Sequence, residues 1–259
     1  MEYLLLAFLG FFVGTAVGLT GVGGGAVMTP LLIVFTDLKL AAVIAVDLMF
    51  ASITKTSAGI SHARNNNIDW QVLRQMWLGS IPAVFIILSI VITFNIFALD
   101  ILLSVIGVIL VISGILMGIS HESQSFSRSI KNKFPNQFIK LQKPLTILGG
   151  SLIGSLVAFT SIGAGAIGAI ILRALHPNRM SPKILVGTDT MHAIPVALIA
   201  GIGYLSLGYL DLKVLGCLLV GSIPGSILGS YLTDRLKPHW IKVMLGIAIM
   251  VSGIKLTFF

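Results

Sequence analysis

Twelve residues, GLTGVGGGAVMT from Gly18 to Thr29, place five glycines inside a stretch that otherwise reads as membrane helix. An interior glycine costs a helix roughly 1 kcal/mol relative to alanine, so such a cluster marks a break. Where a second half-helix starts, its first backbone N–H groups lack intrahelical partners and the positive end of its dipole lies behind them. A terminus of that kind takes an anion without a charged side chain. The donors on offer are Gly23, Gly24 and Gly25, with the hydroxyl of Thr20. A second stretch, AFTSIGAGAIGAIIL at 158–172, offers Thr160, Ser161, Gly163 and Gly165. The competing reading is that these small residues only let helices pack closely.

A second group could move charge. Asp47, Lys55, Asp189 and His192 lie within apolar segments, and an ionisable residue inside a membrane span is a functional candidate by default. The aspartates and His192 would carry protons or brace gating helices, and Lys55 would offset anionic charge. Against this, the aspartates could tether backbone near the outer surface, His192 could be structural, and Lys55 could snorkel to water. Asp47, Thr54 and Ser61 recur at seven-residue spacing, which puts a polar stripe on one helix face.

Other chemistries lack their context. A dinucleotide fingerprint needs a strand before its glycines and a soluble βαβ unit, and a P-loop needs Gly-Lys-Ser/Thr; neither occurs. No nucleophile and base stand at diagnostic spacing, and no histidine–carboxylate cluster suggests a metal. The one cysteine, Cys217, excludes an intrachain disulfide or a cysteine-rich metal site. The expectation is a protein that is not an enzyme, with no cofactor, no metal and no nucleic-acid partner.

The elements that must carry these residues are membrane helices. Of 259 residues, 56% are hydrophobic and 10% charged, with mean hydropathy +1.03; soluble domains carry about 25% charged residues. Apolar segments run 3–19, 26–36, 40–61, 75–95, 99–119, 145–159, 165–175, 184–204, 212–232 and 240–257. The chain repeats itself. GTAVGLTGVGGGA at 14–26 aligns with GSLVAFTSIGAGA at 154–166, offset 140, and GSIP at 79–82 returns at 221–224, offset 142. Asp47 and Asp189, Asp69 and Asp211, and Gly59 and Gly201 also fall at offset 142. The units are a first membrane repeat over 1–119, a basic cytoplasmic connector over 120–144, and a second repeat over 145–259.

Residues 3–36 as one straight helix would measure about 51 Å, against a hydrocarbon core of about 30 Å. Each glycine segment is therefore expected to fold as a hairpin, both ends on one face. Hairpins in both repeats gather 13 of the 17 Lys/Arg on the loops at 62–74, 119–144, 173–183 and 233–242, leaving Lys39, Lys213 and Lys255 opposite. Single crossings would divide them 9 to 7. Cytoplasmic loops are enriched in Lys/Arg, so the basic face is read as cytoplasmic. A hairpin plus three crossings is an odd number, which inverts the second repeat relative to the first. The expected fold is an all-α polytopic membrane protein of two inverted-topology repeats, each a re-entrant helical hairpin plus three transmembrane helices, the architecture of secondary transporters. Eight simple transmembrane helices are the alternative.

With GLTGVGGGAVMTPLLI at 18–33, its degenerate copy at 158–172 and GSIP in both halves, the chain resembles the TauE/SafE, or sulfite exporter, family of membrane anion transporters. The resemblance covers essentially the whole chain. It implies a secondary transporter of a small sulfur-containing anion such as sulfite, thiosulfate or a sulfonate, working as an exporter in the bacterial inner membrane. The second copy departs from the first, with Ser161 for Gly21 and Ala164 for Gly24, so two half-sites would not be equivalent. Export gains roughly 2.3 kcal/mol per net negative charge per 100 mV. Proton-coupled uptake, to which the membrane carboxylates are suited, and a channel of the same fold are the alternatives; an integral-membrane enzyme with Ser161 or His192 in catalysis is a less favoured reading.

Overall fold

A computed structural model describes residues 2–20, 25–94, 101–119, 135–162, 165–232, 246–247 and 249–255. The described residues include the helices α1 (Glu2–Thr20), α2 (Gly25–Phe35), α3 (Leu40–Arg64), α4 (Trp70–Phe94), α5 (Ile101–Ile119), α6 (Pro135–Thr160), α7 (Ala166–Leu175), α8 (Pro182–Ser206) and α9 (Leu212–Leu232). Residues 249–255 are also helical, and no strand occurs among the described residues. Five segments, within α3, α4, α6, α8 and α9, are long and apolar enough to cross a bilayer. Their outward faces carry large apolar side chains such as Phe85, Leu148 and Val220, as lipid contact requires. The helix α6 begins at Pro135, inside the stretch read from sequence as connector.

Local chemistry sets the helix ends. The Asp69 carboxylate accepts from the Val72 backbone N–H at 3.1 Å and caps α4; its repeat counterpart Asp211 accepts from Val214 N–H at 3.0 Å and caps α9. Ser181 accepts from Ile184 N–H ahead of Pro182 at the start of α8. The far end of α8 closes on Gly208 in the left-handed region (φ 76°), with Tyr209 N–H bonded back to the Tyr204 carbonyl, the usual closure by a left-handed residue.

Packing follows the repeat. A methyl group at Gly14 of α1 would lie 2.4 Å from the Ser222 carbonyl oxygen of α9, and one at Gly154 of α6 would lie 2.5 Å from that of Ser80 of α4. Both pairs stand at equivalent places of the two sequence repeats. Gly221, Gly225 and Gly229 meet the carbonyls of Ala7, Phe11 and Thr15 in turn, so α1 and α9 run parallel, backbone against backbone. Small residues allow helices this proximity. Thr54 faces Ser222, and Ser57 faces Ser226, so α3 also runs parallel to α9. In the same way Trp77 faces His192 and Leu88 faces Gly203, aligning α4 with α8. By contrast Gly59 meets Met191 while Gly201 meets Met49: α3 and α8, repeat counterparts of each other, cross antiparallel.

Those directions define the hairpins. Because α1 and α3 point the same way, the 11 residues of α2 must carry the chain back between them. In the second repeat the return is seen directly. Gln142 and Thr146, early in α6, bond to the Leu175 carbonyl (2.6 Å) and the His176 ring (2.8 Å) at the end of α7.

Candidate functional site

The turn between α6 and α7 is the part of the candidate site described in most detail. From Thr146, level with His176, to Thr160 is about 21 Å of helix, and α7 returns about 15 Å. Both lengths are shorter than a hydrocarbon core of about 30 Å. Thr160 secures the turn, its hydroxyl donating to the Leu156 carbonyl (2.7 Å) and accepting from Ile162 N–H (3.2 Å). Ser161 sits in the left-handed region at φ 63°, and Gly165, at the α7 N-cap, has φ 140°. The hydroxyl of Thr160 is thus held by its own backbone. In the first repeat α1 ends at Thr20 and α2 begins at Gly25; Gly23, Gly24 and Gly163 lie outside the described residues.

Asp47 joins α2 and α3 to the turn between α6 and α7. It is fully buried in α3, and its Oδ2 accepts from the Thr29 hydroxyl, on the second turn of α2, and from the Ser161 hydroxyl at 2.8 Å. One carboxylate oxygen thereby joins three elements and both repeats. Its other oxygen, Oδ1, is buried with no hydrogen-bond partner among the described residues. The repeat counterpart differs. Thr29 is replaced by Ala169 and Ser161 by Gly21, so neither counterpart can offer Asp189 a hydroxyl. Asp189 instead lies against the backbone of α7, its Oδ1 2.2 Å from where a side chain at Gly168 would begin.

Lys55 completes the group. It is 1% exposed, which removes the snorkelling alternative, and it acts electrostatically on Asp189, Asp47 and His192. Two carboxylates and one ammonium leave the cluster one negative charge in excess when all are ionised. His192, also fully buried, shares a hydrogen bond with Ser80 of α4 (Nε2 to Oγ, 3.0 Å), and its backbone carbonyl accepts from the Trp77 indole. The polar stripe expected along α3 is shorter than its spacing suggested. Asp47 and Thr54 are buried, but Ser61 is exposed because α3 has by then reached the loop.

Of the sequence-predicted residues, Asp47 meets Ser161 at the second turn and Asp189 lies against Gly168 of α7, whereas His192 contacts α4 and Lys55 is buried in α3. Thr29 and Ser80 went unpredicted; Thr29 lay inside the quoted motif, yet nothing in its spacing linked it to Asp47. Ser80 and His192 form a hydroxyl–imidazole pair, with Ser80 fully buried against the backbone of Gly154. Among the described residues no group of three or more His, Cys, Asp or Glu could hold a metal.

Comparison with known proteins adds the following. The family described as "Sulfite exporter TauE/SafE" matches residues 6–256. The chain is 36% identical over 253 residues to the Bacillus subtilis protein named "Probable membrane transporter protein YjnA", covering 96% of this chain and 97% of that one. It is 27% identical over 268 residues to "Probable membrane transporter protein MJ0441" of Methanocaldococcus jannaschii, covering 96% and 93%. A further Bacillus subtilis relative, "Probable membrane transporter protein YdhB", is 25% identical over 259 residues, covering 98% and 100%. No solved structure matches.

Proposed function

We propose, from the premise that this chain belongs to the sulfite exporter TauE/SafE family and is an integral membrane transporter, that it moves a small sulfur-containing oxyanion through the space between its two helix turns. The observation that carries this reading is the bond from Asp47 of the first repeat to Ser161 at the turn of the second. It links a buried carboxylate of the first repeat to the turn of the second, which supports a site where backbone N–H groups at half-helix starts would face an anion. The antiparallel crossing of α3 and α8 supports a two-fold axis in the membrane plane, hence inverted repeats and a passenger bound near mid-depth. Gly25 and Gly165, with Gly23, Gly24 and Gly163, would supply the approach of backbone to substrate. Thr20 would add a hydroxyl, whereas Ser161 and Thr160 would shape the turn. Outward movement of the anion runs with a negative-inside potential.

Reconstituted vesicles loaded in turn with sulfite, thiosulfate, sulfate, a short sulfonate and a carboxylate test the reading. Saturable flux of one or more sulfur oxyanions is expected, together with a raised melting temperature for the same ligand, since a ligand that binds only the folded state stabilises it. Flux of none of them, with no thermal shift, would remove the reading. Proton-coupled uptake is supported by one specific observation, the burial of the Asp47 and Asp189 carboxyl groups, because an anion binds near a carboxylate more readily once that carboxylate is protonated. An imposed pH gradient that drives anion accumulation at zero potential separates the two.

A further inference from the structure

The loops of the basic face are joined more firmly than their counterparts on the opposite face. Arg179, in the loop before α8, grips Asp69 with two nitrogens, Nε to Oδ2 at 2.7 Å and Nη2 to Oδ1 at 2.9 Å. Its third nitrogen, Nη1, reaches the Gln71 side-chain oxygen at 2.9 Å. The Asp69 backbone N–H donates to the buried Thr188 hydroxyl at 3.0 Å. Gly187 lets the loop settle still closer, because a methyl group there would lie 2.0 Å from the Asn67 carbonyl oxygen. The 65–69 loop of the first repeat is thereby seated on the start of α8.

The repeat supplies its own control. At the same offsets, Arg179 corresponds to Lys39, Gln71 to Lys213, Thr188 to Val46 and Gly187 to Ala45, while Asp69 corresponds to Asp211. Every replacement weakens the equivalent junction. Lysine cannot make the planar two-point grip of arginine on a carboxylate, and Lys213 puts a second cation where Gln71 accepts. Val46 offers no hydroxyl, and Ala45 carries the methyl group that Gly187 lacks. Asp211 spends its Oδ1 on the Lys213 and Val214 backbone N–H groups, and among the described residues no ion pair joins Lys39 to Asp211.

We infer that Arg179, Asp69, Gln71, Thr188 and Gly187 form a one-sided latch that biases this transporter toward the state closed on its basic, cytoplasmic face. The inference rests on the transporter reading for its consequence and on the loop geometry alone for its existence. Two repeats that exchange conformations would be balanced if their loops matched; here the mismatch sets the resting state. Because Arg179 is about half exposed (46%), the bias is modest, roughly three- to tenfold in population, as befits a bidentate pair within a small network.

The experiment labels a cysteine introduced at Thr190, buried two residues beyond Thr188, in a Cys217→Ser background with a membrane-impermeant maleimide applied from the cytoplasmic side. Arg179→Gln and, independently, Gly187→Ala are expected to raise the labelling rate roughly three- to tenfold, and Lys39→Gln to leave it unchanged. Equal rates in all variants overturn the latch. A second arm replaces the native latch with a covalent one. With cysteines in place of Gln71 and Arg179, a short bis-methanethiosulfonate bridge is expected to stop anion flux and reduction to restore it; undiminished flux through fully bridged protein overturns the inference. Labelling involves no substrate, so a vesicle preparation without flux of any anion would sink the transporter reading while the labelling contrast still decided the latch.

Discussion

Asp47 combines two demands in one side chain: it must be tolerated where no water reaches it, and it must hold two hydroxyls that belong to different repeats. Removing a partner from a buried polar group costs about 1–3 kcal/mol, so Thr29→Val should lower stability in detergent by about that amount. Ser161 bears a further burden, since a non-glycine residue in the left-handed region costs roughly 1–2 kcal/mol. Ser161→Ala keeps the strain and loses the bond, whereas Ser161→Gly loses the bond and relieves the strain. The glycine variant is therefore expected to unfold at the higher temperature of the two, by about 1 kcal/mol in stability, and equal denaturation curves would refute a strained turn. Asp47→Asn keeps the shape; if the carboxylate carries a coupling proton, flux in that variant should lose its dependence on a pH gradient while the melting temperature moves little. At this scale the sequence was informative about charge and silent about partners. Asp47, Asp189, His192 and Lys55 stand out because ions are rare in apolar spans. Thr29 and Ser80 do not, because a hydroxyl in a membrane helix is unremarked until a neighbouring helix presents it with an acid or an imidazole.

Helices in this molecule are recognised by glycine in two distinct ways. At Ser161 and Gly165 the chain needs conformations that most side chains avoid; in α1, α4, α6 and α9 it needs absent side chains so that backbones touch. The two uses respond differently to mutation. Gly154→Val should destabilise strongly, since its Cβ would meet the Ser80 carbonyl at 2.5 Å. Gly216→Ala, on the same type of helix but with nothing within 4 Å of the added carbon, should leave stability unchanged or raise it by about 0.5–1 kcal/mol through helix propensity. Thermal unfolding of the purified variants in detergent distinguishes them. The break positions were legible because glycine clusters interrupt an otherwise apolar period, and the hairpins because the segments exceed the bilayer. The start of α6 was hidden. Its first turns, from Pro135 through Lys143, are polar enough to resemble a loop, and the reason they are helical, the reach of Gln142 to the end of α7, is a contact across 33 residues.

At the scale of the whole molecule, the glycine-to-carbonyl contacts Gly14–Ser222 and Gly154–Ser80 fall at positions related by the offsets of 140 and 142. Departures from the repeat are as informative as its agreements: Ser161 against Gly21, Thr29 against Ala169, Arg179 against Lys39. The antiparallel crossing of α3 and α8 makes a topological prediction. Cysteines replacing Lys39 and Arg179 should react with impermeant reagents from opposite faces of the membrane, Arg179 from the cytoplasm. Reaction from one common face would dismantle the inverted arrangement. Long-range pairings such as Asp69 with Arg179 could not be read in advance, since two charged loop residues 110 positions apart carry no mutual signature until the intervening helices fix their distance.

The parallel seam between α1 and α9 bears on how the protein is made. The helix α1 has its principal partner, α9, almost 200 residues downstream, a delay of about 10–40 s at ordinary rates of translation. Throughout that interval the glycine-rich flank of α1 must be sheltered by lipid or by the insertion machinery, and the nascent protein stays incomplete until α9 arrives. Neither repeat can therefore mature by itself, and the two halves produced as separate polypeptides should accumulate only when they are synthesised together.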